Sequence, residues 1–217
     1  MEKIEDVRFT ECKDSKYIHP SRMVYKQNGK EKIWDLMRVH DSVACVLYNK
    51  TRDVLIYVRQ FRPAVFFGAI SRDEVSRGHV TDMTKYPVSL GMTRELCAGI
   101  MDKPGVPSIQ VMQEEIFEEC GYKVPLSSIE KITGYRSSVG ISGSKQELFY
   151  AEVTDDMRHT TGGGNPTEHE MVEVVEVSIP DAWKMIADES IMRPPACLFG
   201  TLWFLTFKHK GPKPDSW

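Results

Sequence analysis

The sequence QEEIFEECGY at residues 113–122 places four glutamates within six positions. At about 100° per residue, a helix over this stretch holds all four carboxylates within an arc of roughly 140°. These residues are Glu114, Glu115, Glu118 and Glu119. Ile109, Ile116 and Cys120 fall on the opposite side of the same helix. The pattern therefore predicts a short helix with one buried face and one acidic face.

Four carboxylates this close repel one another, by a few tenths of a kcal/mol for each spaced pair even when they are hydrated. A solvated acidic face is the usual explanation of such a group of charges. The alternative is a binding site for a divalent cation, because Mg²⁺ takes hard oxygen ligands, keeps several waters and leaves positions for substrate phosphates. The residues of this helix alone leave both explanations open.

The residues that flank this helix favour the binding site for a divalent cation. Gly121 is expected to end the helix, and residues 95–99, Glu-Leu-Cys-Ala-Gly, predict a strand that runs into a Gly/Pro loop. Residues 95–122 together resemble the Nudix box, G-x5-E-x7-R-E-U-x-E-E-x-G-U, where U is aliphatic or aromatic. The matching positions are Glu115, Ile116, Glu118, Glu119, Gly121 and Tyr122.

Three positions depart from the box. Gly99 fits its first glycine only if the loop at residues 101–105 carries one extra residue. Val106 stands where the box has a glutamate, and Glu114 stands where it has an arginine. The resemblance implies that this arginine steadies the adjacent catalytic glutamate, so its replacement leaves catalytic efficiency open. Loss of both members of an opposite-charge pair is less damaging than loss of one.

Composition narrows the class of protein. The 217 residues are enough for one domain with an appendage, and the net charge of −3 comes with no basic block that would indicate nucleic-acid binding. No apolar run approaches the roughly 20 residues that span a bilayer, and the N-terminus lacks the apolar core of a signal peptide. We therefore expect a cytoplasmic protein without a membrane partner. The five scattered cysteines predict reduced thiols rather than a zinc site.

The order of predicted elements indicates an α/β sandwich with a mixed sheet, which is the Nudix architecture. Asn28-Gly29 predicts a type I′ hairpin that must dock on its own domain or on a second copy of the chain. The polar segment 71–89 shows neither periodicity nor a convincing core, and it is expected to be a mobile surface insertion or lid. Strands are predicted at residues 42–48, 54–60, 131–135, 148–153 and 172–178, and helices at 181–188 and from Pro194 onward. The expected division is a hairpin and dimerisation region at 1–38, a hydrolase domain at 39–210 and a tail at 211–217.

Residues 60–64, Gln-Phe-Arg-Pro-Ala, end a predicted strand with Arg62 in a loop. Arg62 is either a surface residue before a proline or a guanidinium aimed at a diphosphate, whose oxygens its planar fork matches. The segment resembles the Gln-Phe-Arg-Pro motif of nucleoside diphosphate-sugar pyrophosphatases within the Nudix family. With Trp34 and the strand at 95–99, this resemblance implies an ADP-ribose or UDP-sugar hydrolase.

Further residues are candidates for substrate binding. Trp34 is either a core residue or, as the resemblance implies, an aromatic face that stacks on the nucleobase from a swapped N-terminal sheet. Tyr17 is a weaker second aromatic candidate. The Gly/Ser loop at 140–146 is either a turn or a holder of sugar or phosphate through its backbone N–H groups and hydroxyls. The remaining candidates for substrate contacts are Arg38, Glu95, Ser142 and Gly143.

A glycine run at residues 162–164 leads to Glu168 and Glu170. These acids either belong to a disordered loop or act in catalysis. The resemblance implies that one glutamate of this loop activates water and another reaches the metals. We expect Glu168 to be the base and Glu170 a metal contact, with the reverse assignment as the alternative.

The whole chain resembles the UDP-sugar pyrophosphatase branch of the Nudix hydrolases. This implies hydrolysis of a nucleoside diphosphate sugar, with UDP-glucose giving UMP and glucose 1-phosphate, and a homodimer built on the swapped N-terminal sheet. It also implies Mg²⁺, with Mn²⁺ as an alternative, and three catalytic residues, Glu115, Glu119 and Glu168. The implied metal ligands are the Ala98 carbonyl and the carboxylates of Glu115, Glu118, Glu119 and Glu170. Two alternatives stay open: an ADP-ribose or ADP-sugar pyrophosphatase, and a weakly catalytic sugar-nucleotide sensor.

Overall fold

The computed structural model describes residues 4–15, 17–80, 82–165, 167 and 170–211. Within them the strands are β1 His19–Gln27, β2 Lys30–Arg38, β3 Ser42–Asn49, β4 Val54–Phe61, β5 Met92–Glu95, β6 Cys97–Ile100, β7 Ile129–Arg136, β8 Lys145–Val153 and β9 Glu173–Ser178. The α-helices are α1 Pro63–Ala69, α2 Arg72–Arg77, α3 Ser108–Cys120, α4 Ile179–Ala187 and α5 Pro195–Trp203. After α5 the chain continues as one π-helical turn, Phe204–Lys208.

Strand β3 lies at the centre of a seven-stranded sheet. One of its edges pairs in parallel with β8 along its whole length. Its other edge is shared by two antiparallel partners, because residues 42–45 pair with β6 and residues 47–49 pair with β4. The sheet continues from β4 to β5 and β9, and from β8 to β7, all antiparallel. The predicted mixed sheet is therefore confirmed.

Helices cover the sheet on both faces, which confirms the predicted sandwich. Successive side chains of β3 point to opposite faces. Val43 and Cys45 pack in the core beneath α3, whereas Ala44 and Val46 pack in the core beneath α4 and α5. Because both faces are covered, β3 is an almost continuous apolar run rather than an alternating one. Helix α3 contributes Val111, Met112, Ile116 and Cys120 to the first core.

The N-terminal hairpin forms a separate two-stranded sheet. Asn28 and Gly29 have φ values of 52° and 77°, as a type I′ turn requires. The hairpin contacts its own chain at the loop before β8, since the Met37 N–H donates to the Ile141 carbonyl at 3.0 Å. Trp34 is 50% exposed, so its interpretation as a core residue is wrong.

Residues 71–89, expected to form a surface insertion or lid, contain a helix that the sequence did not predict. Helix α2 begins after Ser71, whose hydroxyl accepts a hydrogen bond from the Glu74 N–H, and ends at Gly78 in the left-handed conformation. A six-residue polar helix has too few apolar positions to show a period, so only the capping signal Ser-x-x-Glu could have predicted it. Backbone hydrogen bonds from Phe9 to Gly78 and from Val80 to Val7 join this segment to the N-terminal residues.

Two smaller expectations also differ from the structure. Arg62 does not lie inside a loop but at the N-cap of α1, because Pro63 takes the first helical position, where its missing N–H costs nothing. The strand predicted over residues 95–99 is interrupted at Leu96, which separates β5 from β6. Four of the five free cysteines are buried as expected, whereas Cys12 is exposed.

In the described part of the chain, none of the helices combines the length and the apolar character needed to cross a membrane.

Glu147 of β8 fastens the N-terminus of α3 to the sheet. Its carboxylate accepts hydrogen bonds from the Ser108 hydroxyl at 2.6 Å and the Lys131 ammonium at 2.9 Å, and it also pairs with Lys145. Burial alone would raise the pKa of Glu147, but the hydrogen bonds from Lys145, Ser108 and Lys131 outweigh it and lower the pKa from 4.5 to about 2. An anion at a helix N-terminus is further favoured by the helix dipole.

We predict that Glu147→Gln lowers the free energy of unfolding by about 1–3 kcal/mol at about pH 7. Because the folded-state pKa lies below the unfolded value, ionised Glu147 stabilises the fold above pH 4.5, and this contribution is lost as the pH falls toward 2. The difference between wild type and variant should therefore narrow on acidification. Urea unfolding at about pH 7, 5 and 3.5 measures it. If the difference in free energy of unfolding between wild type and Glu147→Gln stays constant with pH, the lowered pKa is contradicted. Glu152→Gln on the same strand is the control.

Candidate active site

A cleft of about 920 Å³ opens beside the acidic part of α3. Its lining comes from β6, the loop after β6, α3, the end of β7 and the N-terminus of α5. The size is within the usual range for small-molecule sites, which is about 300–1,000 Å³. The polar groups on its walls decide what the cleft can bind.

Glu119 differs from the other three glutamates of α3 because its side chain is buried and only 1% of the residue is exposed. Three residues of helix correspond to about 300°, so Glu119 lies only about 60° from Ile116, at the border of the apolar face. The prediction of one common acidic face is therefore wrong for Glu119. Its Oε2 accepts a hydrogen bond of 2.9 Å from the Ala98 N–H.

The environment of Glu119 disfavours its charged form. Burial raises the pKa of Glu119 to about 8; hydrogen bonds from the Ala98 N–H and the Cys97 thiol oppose this shift, and the charges of Glu170 and Glu115 add to it. A divalent cation beside such a carboxyl would favour its ionised form instead.

Glu115, Glu118 and Glu170 line the cleft together with Ala98. Glu115 lies directly against the backbone of Gly99, because a Cβ added to Gly99 would be 1.9 Å from the Glu115 Oε1. Glycine at this position is therefore what lets α3 approach the end of β6. Four of the predicted metal-binding residues therefore line the cleft, and the fifth, Glu119, is joined to Ala98 by its hydrogen bond.

The glycine run at 162–164 contacts the C-terminal end of α3. The Gly163 N–H donates to the Glu119 carbonyl at 2.9 Å, and the Gly164 N–H donates to the Glu118 carbonyl at 3.1 Å. All three glycines have positive φ, and a Cβ on Gly162 would lie 2.2 Å from the Glu119 carbonyl oxygen. These glycines therefore bind the last turn of α3, as donors to its otherwise unpaired carbonyls.

The same loop continues to the predicted acids. The Glu170 carboxylate accepts a hydrogen bond of 3.3 Å from the Asn165 N–H, and the Glu170 N–H donates to the Asn165 carbonyl at 3.2 Å. The predicted base, Glu168, lies outside the described residues.

Arg62 forms a two-pronged ion pair with Glu95, at 2.7 Å from Nε and 2.8 Å from Nη2. The Glu95 carboxylate also accepts a hydrogen bond from the Thr93 hydroxyl at 2.6 Å. Burial would raise the pKa of Glu95, but the hydrogen bonds and charge of Arg62 outweigh it and lower that pKa. Both side chains line the cleft. Glu95 thus orients the Arg62 guanidinium, which keeps a further face toward the cleft.

The opposite wall carries a chain of polar groups. The Tyr135 hydroxyl donates to the Gln146 Oε1 at 2.7 Å, and the Gln146 Nε2 donates to the Ser42 hydroxyl at 2.9 Å. Burial raises the pKa of Tyr135 to about 12, so its hydroxyl stays protonated at neutral pH. These three side chains were not predicted, because their own sequence neighbourhoods give no sign of shared chemistry.

Several predicted substrate contacts lie elsewhere in this single chain. Among the described residues, the cleft lining does not include Trp34, Arg38, Ser142 or Gly143. Trp34 instead donates its indole N–H to the Gly140 carbonyl at 2.9 Å. Tyr17, the weaker aromatic candidate, does line the cleft. Lys103 also lines it and was missed, although its position in the loop ahead of the glutamates could have drawn attention to it.

The residues fit a divalent cation in their chemistry, since carboxylates and a backbone carbonyl are the hard oxygen donors that Mg²⁺ prefers. The close approach of Glu115 to Gly99 and the burial of Glu119 also favour a cation site. No three His, Cys, Asp or Glu side chains of the described residues stand close enough together to form a finished metal site. The carboxylates would therefore have to draw together around a cation.

Comparison with known proteins gives matches along almost the whole chain. The chain is 40% identical over 214 residues to the uridine diphosphate glucose pyrophosphatase of Bos taurus, covering 95% of this chain and 96% of that protein. It is 36% identical over 213 residues to the protein of the same name from Mus musculus, with the same coverage of both chains. It is 31% identical over 151 residues to the GDP-mannose pyrophosphatase of Klebsiella pneumoniae subsp. pneumoniae, covering 70% of this chain and 64% of that protein. No family model matches the chain.

We predict that Gly162→Ala weakens the attachment of the loop to α3. The new Cβ would meet the Glu119 carbonyl at 2.2 Å and would be strained at a φ of 70°. We expect a loss of about 2 kcal/mol in stability, or about 4–8 °C in Tm, and faster proteolytic cleavage within residues 162–170. Gly68→Ala, where a Cβ meets no atom within 4 Å, is the matched control and should keep the wild-type Tm. Equal behaviour of the two variants would show that the close contact has no role.

Proposed function

The chain belongs to the Nudix hydrolase family, and we propose that it hydrolyses the diphosphate of nucleoside diphosphate sugars, with UDP-glucose as substrate and UMP and glucose 1-phosphate as products. The observation that carries this proposal is the buried Glu119 carboxyl, which binds the Ala98 N–H and is influenced by the charges of Glu115 and Glu170. Such a group of acids has no stabilising role in a binding protein for neutral ligands, but it suits a cation that bridges to a diphosphate.

In this proposal Glu115, Glu118, Glu119, Glu170 and the Ala98 carbonyl hold Mg²⁺, with Mn²⁺ as an alternative. When bound, the metal supplies charge neutralisation at the diphosphate and a lowered pKa for a coordinated water. The chain itself positions these groups: α3 carries three of the glutamates, the Ala98 N–H binds Glu119, and Gly99 lets Glu115 approach β6.

Proton transfer falls to the loop after the glycine run. Glu168 takes a proton from the attacking water, whose oxygen forms a bond to phosphorus while the bridging P–O bond breaks and the leaving phosphate keeps the bridging oxygen. Glu170 is the alternative base. The glycines at 162–164 support this role because their hydrogen bonds hold the loop on the same turn of α3 that carries Glu118 and Glu119.

Arg62 orients the substrate. Its guanidinium is already fixed by the two hydrogen bonds to Glu95, so little side-chain entropy is lost when its remaining N–H groups bind a phosphate oxygen. The polar wall of Tyr135, Gln146 and Ser42 offers hydroxyl and amide groups to the sugar or the base. A cleft with this many polar groups on its walls supports a nucleotide sugar as ligand rather than an apolar molecule.

A second substrate is favoured by one finding. GDP-mannose pyrophosphatases match 70% of the chain, so GDP-mannose competes with UDP-glucose as the natural substrate. ADP-ribose is a further candidate because the Gln-Phe-Arg-Pro segment is shared by ADP-ribose hydrolases, as the sequence resemblance implies.

A turnover panel tests the proposal. With Mg²⁺ we expect UDP-glucose to be hydrolysed with a higher kcat/KM than GDP-mannose, UDP-galactose, ADP-ribose or ADP-glucose. Glu119→Gln should lower kcat at least about a hundredfold while the protein stays folded, because a central ligand is lost. Glu130→Gln, which alters an exposed ion pair with Lys208, is the control and should keep the wild-type rate. Tight binding of nucleotide sugars without turnover would overturn the enzyme proposal in favour of a sensor.

We also propose that residues 1–38 mediate a homodimer. Val24 and Ile33 are direct cross-strand partners, so they share one face of the hairpin, and both are 57% exposed. Trp34 lies on the other face, which contacts the Gly140 carbonyl of the same chain. A two-stranded hairpin that leaves Val24 and Ile33 uncovered is marginally stable in water, so a second copy of the chain is the cover that the family resemblance supports.

We predict that the double substitution Val24→Lys and Ile33→Lys makes the protein monomeric, because two charges would be buried in the proposed interface. Light scattering after size-exclusion chromatography measures the mass. Phe207→Lys replaces a residue that is 75% exposed elsewhere on the surface and should leave the dimer intact. A monomeric wild type would contradict the proposed dimer.

A further inference from the structure

Lys103 and Glu114 form an ion pair at the mouth of the cleft. The Lys103 ammonium lies 2.6 Å from the Glu114 Oε2. The hydrogen bond to Glu114 raises the pKa of Lys103 against a partial loss of hydration, and the charges of Glu114, Glu118 and Asp102 raise it further. Lys103 lines the cleft beside Glu115 and Glu118, so this cation lies among the proposed metal ligands.

The pair belongs to a series of contacts that glutamates of α3 make with the end of β6 and the loop after it. The Glu119 carboxylate accepts the Ala98 N–H, the Glu115 carboxylate lies against Gly99, and the Glu114 carboxylate binds Lys103. The partners follow one another along the chain from β6 into the loop after it. Three glutamates of one helix thus contact one segment of the chain, residues 98–103.

The two ends of that loop are fixed by other contacts. The Met101 N–H donates to the Asp41 carbonyl at 2.8 Å, and Val106 packs against the core beneath α3. Val106 and Glu114 occupy the positions where the Nudix box has a glutamate and an arginine. In this chain the opposite charges are reversed, because the cation is on the loop at Lys103 and the anion is on the helix at Glu114.

We propose that Lys103 is a positioning residue for the metal site, an inference that rests on the proposed function. By neutralising Glu114, Lys103 reduces the repulsion that Glu115 and Glu118 feel from a third carboxylate, and it holds the loop so that Glu115 stays against Gly99. The pair therefore lowers the cost of bringing Glu115 and Glu118 together around a cation.

An exposed pair of this kind contributes little to folding. The two side chains are 54% and 36% exposed, and such pairs stabilise a fold by about 0–1 kcal/mol. The effect on unfolding should therefore be small, and the effect on cation binding should be larger. Lys103→Glu sets two carboxylates against each other and pushes the loop away from Glu115, and Glu114→Arg brings a positive charge that repels the bound cation. This difference separates positioning from a structural role.

Charge reversal tests the inference. The variants are Lys103→Glu, Glu114→Arg and the double variant that combines them, with Lys103→Arg as the conservative change. Calorimetric titration with MnCl₂ on the full chain without substrate gives the Kd for Mn²⁺, and the Mg²⁺ concentration for half-maximal turnover is the second readout. Lys184→Glu breaks an exposed pair with Asp181 on α4 and controls for net charge.

We expect each single reversal to weaken Mn²⁺ binding about tenfold, and the double variant to return to within about threefold of wild type. Lys103→Arg and Lys184→Glu should bind Mn²⁺ as wild type does, and the Tm of all folded variants should stay within about 4 °C. The inference would be overturned if the Kd of the double variant for Mn²⁺ rose by the product of the two single increases. It would also be overturned if Lys103→Glu bound Mn²⁺ with the affinity of the wild type.

The Mn²⁺ readout separates this inference from the proposed reaction. A wild type that binds Mn²⁺ but hydrolyses none of the nucleotide sugars would overturn the proposed function, and the Kd values of the variants would still decide on the pair. A wild type that binds no Mn²⁺ up to about millimolar concentration would overturn both, since the carboxylates would then not form a metal site.

Discussion

The burial of one carboxylate, that of Glu119, limits which groups can surround it in the candidate active site. Glu119 lies on the border between the apolar face of α3 and the cleft, and it is held by the Ala98 N–H at 2.9 Å. A buried carboxyl costs free energy unless it is protonated, hydrogen-bonded or paired with a cation. Glu115 and Glu170 add further negative charge around it. Arg62 lies within reach of the Glu119 and Glu170 charges, but its guanidinium is already paired with Glu95. A bound cation is the partner that would satisfy the whole group.

The fold serves this constraint by fixing α3 at both ends. Glu147 holds its N-terminus through the Ser108 hydroxyl, and the glycines at 162–164 bind the carbonyls of its last turn. The apolar face of α3 packs on β3. Strand β3 pairs with β6 on one edge and with β8 on the other. Three of the acids are therefore carried on one helix, whereas the proposed base, Glu168, follows in sequence the glycine run that binds that helix by backbone hydrogen bonds.

Much of the fold could be predicted because its signals are local. The Asn28-Gly29 turn, the apolar strands and the helix that ends at Gly121 each depend on a few neighbouring residues, and the structure has them where the sequence indicates. Helix α2 was missed because its six residues include a single apolar one, Val75, and so show no period. The partners of Trp34, Lys103 and Gly162 could not be predicted, since they depend on which distant segments meet in space. The glutamates themselves were found, but the burial of Glu119 depends on a helix orientation that only packing decides.

The most direct test of this account is the position of the metal. Crystals grown with Mn²⁺ and a non-hydrolysable UDP-glucose analogue can be examined by anomalous X-ray diffraction. The account predicts Mn²⁺ within coordination distance, about 2.0–2.3 Å, of carboxylate oxygens from Glu115, Glu118 and Glu119, and next to the diphosphate of the analogue. Mn²⁺ bound elsewhere, with Glu119 still buried and without a metal, would contradict it.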